Sequence, residues 1–305
     1  MIDILMATYN GEKYLTEQIE SIINQTYQDW RLIIADDCSS DSTIKILEKY
    51  HAKYPNKISY YQNSKPSGSA KNNFLQLLGQ AKSDYVMFSD QDDVWLDDKI
   101  EKSIKKIKEI EEGVETNKAI LCFSDLTVVD NKLNIISYKM SNFQSLNMSR
   151  FEFKDLMIQN IVTGCTMIIN RALIKKIKLP IDNNKIIMHD WWIALIASRF
   201  GTIGYIDNSY ILYRQHNNNS VGAKKINSIR YIYNKISSAK SMRESLFLTQ
   251  EQIRLFMELY KIDDDLLREY TKLNTYTKID KIKFIVKNKI WKHGLIRNLG
   301  LIIYI

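Results

Sequence analysis

The chain has 305 residues, 45% hydrophobic and 26% charged, an ordinary globular composition that excludes a disordered or low-complexity protein. Cys38, Cys122 and Cys165 are odd in number, far apart and without Cys-x-x-Cys spacing, which excludes a disulfide framework and a zinc site and points to a reducing cytosol. The net charge of +8 invites a nucleic-acid reading, yet +6 of it lies between Lys278 and Arg297, where seven Lys/Arg accompany the single acid Asp280, and no base-reading motif is present.

Met1 leads straight into a strand-like run, Ile2 to Ala7, with no basic leader, and no apolar run reaches the roughly 18 to 20 residues of a membrane span. A cytoplasmic protein is expected, neither secreted nor transmembrane. Through the first half, β-like runs alternate with helix-period segments. Strands are expected at Ile2 to Ala7, Trp30 to Ala35, Ile58 to Gln62 and Tyr85 to Phe88. Helices are expected at about Tyr14 to Asn24, Ser42 to Tyr54, Ala70 to Ala81 and Asp97 to Glu111, with Ile100, Ile104 and Ile107 forming the core stripe of the last. This β-α alternation argues for a largely parallel sheet, whose ligands collect beyond the carboxyl ends of the strands.

Those ends are polar. The first strand opens into Thr8-Tyr9-Asn10-Gly11-Glu12 and the second into Asp36-Asp37-Cys38-Ser39-Ser40-Asp41. The fourth opens into Ser89-Asp90-Gln91-Asp92-Asp93-Val94-Trp95, three carboxylates within four positions. Carboxylates this crowded ionise cheaply only around a positive charge, and Asp90 and Asp92 form an Asp-x-Asp pair suited to Mg²⁺ or Mn²⁺ on substrate phosphates. Taken alone, the cluster also fits a solvated turn capping the helix near Asp97 and Asp98, and Asp36-Asp37 also fits an ordinary turn. The first turn lacks both Gly-x-Gly-x-x-Gly and Gly-x-x-x-x-Gly-Lys-Ser/Thr, which argues against a Rossmann dehydrogenase and a P-loop nucleotidase.

Beyond about Lys224 strand-like runs cease and Lys and Asn become frequent, with helical segments near Asn227 to Met242, Thr249 to Tyr260 and Asp263 to Tyr270. Ile279, Ile282, Val286 and Ile290 keep helical spacing in the basic tail, although Phe284 and Trp291 fall elsewhere. Such a tail suits an anionic membrane surface, or equally a basic helix packed on the rest of the protein or on a second subunit.

In combination, Ala-Thr-Tyr-Asn at 7–10, Ser-Ile-Ile-Asn-Gln-Thr-Tyr at 21–27, Asp-Asp-Cys-Ser-Ser-Asp at 36–41 and Ser-Asp-Gln-Asp-Asp-Val-Trp at 89–95 resemble the family 2 glycosyltransferases of the GT-A fold. Thr163-Gly164-Cys165-Thr166-Met167, His189-Asp190-Trp191-Trp192 and Tyr213-Arg214-Gln215-His216-Asn217 resemble that family's acceptor-side and closing motifs, in a form seen in bacterial rhamnosyltransferases. The resemblance covers residues 1–222. It implies a catalytic domain over 1–222, with a donor-nucleotide half at 1–115 and an acceptor half at 116–222, and a helical, basic region at 223–305.

The resemblance also assigns roles. Asp37, with Asp36 second, would contact the base or ribose; Thr8 and Tyr9 would line the nucleoside pocket and Glu12 would reach the ribose. Asp92 would bind the divalent cation directly, Asp90 the ribose or a water, and Asp93 would support the site or touch the donor sugar. Lys71 and Asn72 are further donor contacts, Lys71 being equally a surface charge. Asp190 matches the carboxylate that acts as base, with His189 standing where the family usually carries Glu. Gly164, Trp191 and Trp192 would lie on the acceptor side, core packing being the simpler role for the tryptophans. Arg214 would reach the diphosphate and His216 the metal, on a loop made mobile by Asn217, Asn218 and Asn219 and hinged at Gly222.

The implied activity is metal-dependent, inverting sugar transfer from a nucleotide-diphosphate donor, dTDP-rhamnose or a UDP-sugar, to a glycan or lipid-linked oligosaccharide at the cytoplasmic face of a membrane. Nucleic acid is not an expected partner. Rival readings are a UDP-hexose enzyme of the same family, a non-catalytic sugar-nucleotide-binding protein, and a sugar-phosphate nucleotidylyltransferase, whose Gly-rich, Arg-bearing first turn is missing.

Overall fold

In a computed structural model of the chain, the described residues are 1–179, 183–216 and 239–305. The first half follows the expected alternation: strands β1 (Ile2–Thr8), β2 (Trp30–Asp36), β3 (Ile58–Gln62), β4 (Tyr85–Ser89) and a short β5 (Val94–Trp95), with helices α1 (Leu15–Ile23), α2 (Thr43–Lys53), α3 (Ala70–Leu78) and α4 (Lys99–Glu112). β1, β2 and β4 each run one residue further than their apolar runs, because Thr8, Asp36 and Ser89 are still buried and take part in the sheet.

The second half departs from a mostly parallel sheet. It contributes β6 (Ala119–Val129), β7 (Ile135–Ser137), β8 (Met167–Asn170) and β9 (Gly201–Arg214), with helices α5 (Met140–Phe143), α6 (Phe153–Leu156), α7 (Arg171–Lys176) and α8 (His189–Phe200). The strand order is β3-β2-β1-β4-β8-β6-β9-β5, with β7 paired to β6. β3, β2, β1 and β4 are parallel neighbours, β8 is antiparallel to β4 and β6, β9 is parallel to β6, and β5 is antiparallel to β9. The correction has a physical origin: β6 is buried along its whole length, so it lacks the alternation that marks a half-exposed strand. β5 matters for the site, since Val94 pairs with Leu212 and thereby draws the acidic turn against the end of β9.

One apolar cluster packs on each sheet face. Leu15, Ile19 and Ile22 of α1 and Ile100, Ile104 and Ile107 of α4 cover Ile2, Ile4, Leu32 and Ile34 on one side. On the other, Phe74, Leu77 and Leu78 of α3 and Trp192 to Ala197 of α8 cover Leu5, Val86, Phe88, Leu121 and Phe123. Each such fully buried Leu, Ile or Phe contributes about 1.5–3 kcal/mol.

The C-terminal part forms α9 (Ala239–Tyr260), α10 (Asp265–Lys272), α11 (Lys278–Asn288) and α12 (Leu295–Tyr304). It shares the second cluster, because Ile253, Phe256, Tyr270, Phe284, Ile285, Ile290 and Leu301 pack into the same core as α8. The tail stripe expected at Ile279, Ile282, Val286 and Ile290 is not the buried face: Ile279 and Val286 are exposed, and Phe284 and Ile285 are buried instead. Asn217, Asn218, Asn219, Gly222, the 222/223 boundary and most of the helix expected from Asn227 lie outside the described residues. Among the described residues, no helix is long and apolar enough to cross a membrane.

Candidate active site

The turns after β1 and β2 are stitched into one unit. Asn10 and Cys38 adopt positive φ. Asn10 N–H donates to Ser39 Oγ and its Oδ1 accepts from Ser40 N–H; Glu12 N–H donates to Asp41, and the Glu12 carboxylate accepts from Ser42 N–H. Glu12 is thus exposed yet already holds the second turn. Thr8 is enclosed and donates its hydroxyl to Asp36, which is fully buried and also accepts from Ser39 N–H, Ser39 Oγ and Gln62 Nε2. Asp37 accepts from Asn63 Nδ2, Ser67 N–H and Ser67 Oγ, while the ring of Tyr9 is 58% exposed. Of these groups, Tyr9 presents the open face and Asp36 the structural anchor.

Gln91, the middle residue of the Asp-x-Asp triplet, clasps the backbone of Tyr9 from both sides: its Oε1 accepts from Tyr9 N–H at 2.9 Å and its Nε2 donates to Tyr9 O at 3.0 Å. Gly11 permits this approach, because a Cβ there would lie 2.4 Å from Gln91 Oε1. The acidic turn is in this way fixed to the first strand-end turn.

His216 Nε2 lies 2.7 Å from Asp92 Oδ2, with both side chains about 15% exposed. Arg214 holds that arrangement from below. Its guanidinium donates to the carbonyls of Asp92 (2.8 Å) and Asn131 (3.1 Å) and to Glu17, and its backbone N–H donates to Asp93 Oδ1 (3.1 Å). Tyr14 lies between the Arg214 guanidinium, 4.4 Å from the ring centroid, and the His216 ring at 5.1 Å. Only 1% of Arg214 is exposed, so the side chain lies under the turn rather than over an open ligand face.

Asp90, Asp93 and Cys165 bring their ligand atoms within 4.8 Å of one another. Burial, then the charges of Asp92 and Asp190, push the Asp90 carboxyl up to about 7, and burial followed by Asp90 and Asp92 holds Asp93 well above the carboxylate range. Asp93 is fully enclosed, and its Oδ2 has no hydrogen-bond partner among the described residues. Burial likewise keeps Cys165 a thiol. Beneath them Lys99 is buried with its Nζ 3.5 Å over the Trp95 ring, and burial lowers its pKa to about 7. The donor set of carboxylates plus one imidazole matches a hard or borderline divalent cation, which would relieve the carboxylate repulsion that now favours protonation. Asp97 and Asp98 do not compete for the acidic turn's role, since α4 has no side-chain cap.

Asp190 stands in the first turn of α8, whose N-cap is Met188. Its Oδ2 accepts from Gly164 N–H at 2.9 Å, and its Oδ1 accepts from Trp191 N–H and, at 3.2 Å, from Asn160 Nδ2. It is therefore held as an acceptor and is not a helix cap. Burial raises it to about 6 against these hydrogen bonds. Gly164 is required by contact: a Cβ there would lie 2.8 Å from His189 Nε2. His189 is buried, stacked on Phe74 at 4.3 Å, and kept neutral by burial, which lowers it to about 3.

Trp191 is half-buried and donates its Nε1–H to Leu156 O, whereas Trp192 is fully enclosed against Phe256. Lys71 Nζ donates to the carbonyls of Asn183 and Ile186, tying α3 to the segment before α8, and Asn72 Nδ2 donates to Ser67 O. An open cleft of about 700 Å³ lies between β9 and the segment 139–151, lined by Lys139, Asn147, Phe151, Tyr205 and Asp207. None of the residues singled out from the sequence lines it. Tyr205 and Phe151 both pack on Phe123, which pairs with Met167 of β8.

Comparison with known proteins agrees with this geometry. The model of Glycosyl transferase family 2 matches residues 3–178. The dTDP-rhamnosyl transferase RfbG of Shigella flexneri is 36% identical over 230 residues, covering 72% of this chain and 74% of that protein. The putative teichuronic acid biosynthesis glycosyltransferase TuaG of Bacillus subtilis is 25% identical, covering 82% and 94%. The structure of S. aureus TarS residues 1–349 with UDP superposes with a TM-score of 0.55 at 18% identity, over 93% of this chain and 78% of that one, which shows the GT-A fold. The chain belongs to glycosyl transferase family 2 and is a nucleotide-sugar-dependent glycosyltransferase related to enzymes of bacterial polysaccharide synthesis.

Proposed function

We propose that this family 2 enzyme moves rhamnose from dTDP-rhamnose to a hydroxyl of a lipid-linked bacterial surface glycan, with a divalent cation and with inversion at the anomeric carbon. The observation that carries the reading is the buried Asp190 carboxylate, fixed by Gly164 and Asn160 and close enough to Asp90 for their charges to interact. The similarity to the dTDP-rhamnosyl transferase RfbG favours rhamnose.

The nucleoside rests against the Tyr9 ring and the Asp37 turn, with the buried Thr8–Asp36 pair anchoring that turn from beneath and Glu12 bracing it. Asp92 and His216 would hold the cation, with Asp90 beside them. When bound, the ion neutralises the charge that develops on the departing diphosphate. Asp190 accepts the proton of the acceptor hydroxyl as its oxygen bonds to the anomeric carbon and the bond from that carbon to the diphosphate breaks on the opposite face. Because His189 is neutral and enclosed, it shapes the pocket without competing for that proton. Arg214 acts through its hold on the Asp92 carbonyl, and Asp93 through the Arg214 backbone. Phe151 and Tyr205 offer aromatic faces, and Asn147 and Asp207 polar groups, for an acceptor sugar in the open cleft. Trp191 flanks the acceptor side.

A second donor class is kept because S. aureus TarS was solved with UDP. Calorimetry with dTDP, UDP and GDP, each with and without Mn²⁺, followed by transfer assays with the matching sugar nucleotides, decides between them. Metal-dependent binding of dTDP with rhamnosyl transfer is expected. UDP binding with hexosyl transfer would replace rhamnose, and absence of any nucleotide binding would favour a non-catalytic role.

A further inference from the structure

The last two helices are anchored on one side and bare on the other. On the inner side, Arg297 donates to the carbonyls of Gln144 and His293, His293 Nδ1 accepts from Asn147 N–H, and Arg150 donates to Trp291 O. Leu301, Phe284, Ile285 and Ile290 are buried. On the outer side, Leu295, Leu299 and Ile303 of α12 are 83%, 63% and 51% exposed, and their spacing of four places them in one ridge. The start of α11 lies beside the end of α12, where Lys278 Nζ donates to Ile303 O, so Ile279, 66% exposed, continues the apolar ridge onto α11, and Val286 further along α11 is 52% exposed. Single exposed apolar residues are ordinary, but a ridge of them continued on a neighbouring helix marks a contact surface.

Charge identifies the occupant. Lys278, Lys283, Lys287 and Lys289 are exposed on α11 and at its end, and the single acid between Lys278 and Arg297, Asp280, lies 4.0 Å from Lys283 Nζ. A second copy docked by a two-fold axis would set this cationic rim against itself, whereas an anionic lipid surface complements it. Ten residues of α12 span about 15 Å, half of a hydrocarbon core, so the helix is suited to lie in the interface rather than cross it.

From this we infer that the outer face of α11 and α12 docks on an anionic lipid surface, with Leu295, Leu299 and Ile303 entering the headgroup boundary and the α11 lysines pairing with lipid phosphates. The residues differ from the stripe the sequence pattern gave, since Ile290 is buried and the α12 ridge supplies the insertion. The same anchors that hold the helices reach Asn147, which lines the cleft, and the 144–155 segment, so docking ties that wall of the cleft to the lipid surface. This purpose rests on the lipid-linked acceptor reading; the docking itself does not.

The full chain is tested by co-sedimentation with vesicles of phosphatidylcholine alone and of phosphatidylcholine with phosphatidylglycerol. Binding only to the anionic vesicles, weakened by salt, is expected, with the Leu295→Glu/Leu299→Glu variant and the Lys283→Glu/Lys287→Glu variant each binding at least about tenfold more weakly. Both variants should keep wild-type thermal unfolding and nucleotide affinity, because the altered side chains are exposed and remote from the donor residues. Absence of binding to anionic vesicles, or undiminished binding by the leucine variant, overturns the inference. So does light scattering that finds a wild-type dimer converted to monomer by the leucine changes, which would assign the face to a second copy. Nucleotide binding is read separately, so a failed docking test leaves the transferase reading intact and a failed nucleotide test leaves docking intact.

Discussion

His216 Nε2 and Asp92 Oδ2 lie 2.7 Å apart although their residues are 124 positions apart in the chain. The contact exists because β5 pairs Val94 with Leu212, which carries the end of β9 to the acidic turn. If both side chains hold one cation, removing either should abolish most of the metal-dependent gain in nucleotide binding. Asp92→Ala and His216→Ala are each expected to weaken Mn²⁺-dependent nucleotide diphosphate binding by about 10- to 100-fold, with the double variant little worse than the singles. Calorimetry with and without Mn²⁺ checks this; additive losses would separate the two roles.

Asp190 must be ionised to accept a proton, and burial raises its carboxyl to about 6. Activity is therefore expected to be full above that value and to fall as pH drops through about 6, the protonated fraction being inactive. Asp190→Asn should remove this acid limb, reduce turnover by about 10²- to 10⁴-fold and leave donor affinity near wild type. Normal transfer by that variant would sink the base assignment.

Arg214 is a support rather than an open anion ligand in this geometry. Arg214→Ala strands the carbonyls of Asp92 and Asn131 beneath the turn and is expected to cost about 2–3 kcal/mol of stability. Arg214→Lys keeps the charge but loses the fork that spans these partners, so it should fold and bind the cation-nucleotide pair more weakly. Thermal unfolding and metal-dependent calorimetry on the two variants separate stability from positioning. Unchanged metal-dependent affinity in the lysine variant would refute the positioning role.

Adjacent aspartates should behave differently. Asp36 is fully buried among donors from Thr8, Ser39 and Gln62, so Asp36→Ala is expected to lower stability by about 2–4 kcal/mol. Asp37 is 8% exposed and accepts from Asn63 and Ser67, so Asp37→Ala should also lower stability, by less than Asp36→Ala, and should in addition lose nucleotide affinity in the folded protein. Equal effects on melting temperature would show that both are structural.

Much of the first half of the chain was legible because its signals are local. Apolar runs ending in polar turns located β1, β2 and β4, and the Ile100, Ile104 and Ile107 spacing gave the buried face of α4. Gln91, Tyr14, Glu17, Asn160 and Lys99 escaped notice because no local pattern separates a residue that clasps a distant backbone from one that fills a helix or turn. Gln91 meets Tyr9 across 82 positions and Arg214 meets Glu17 across 197.

The sequence by itself determined the alternation of strands and helices, the crowding of Asp90, Asp92 and Asp93, and the concentration of positive charge in the tail, because each depends on neighbours along the chain. Tertiary structure alone decided which of these groups are buried and which stay open. Pairing of β5 with β9 buries Arg214 under the turn, packing on α8 encloses Trp192, and docking of α11 and α12 buries Ile290 while leaving the Leu295 ridge bare. Burial is settled by which surfaces meet, and residues far apart in sequence set those meetings.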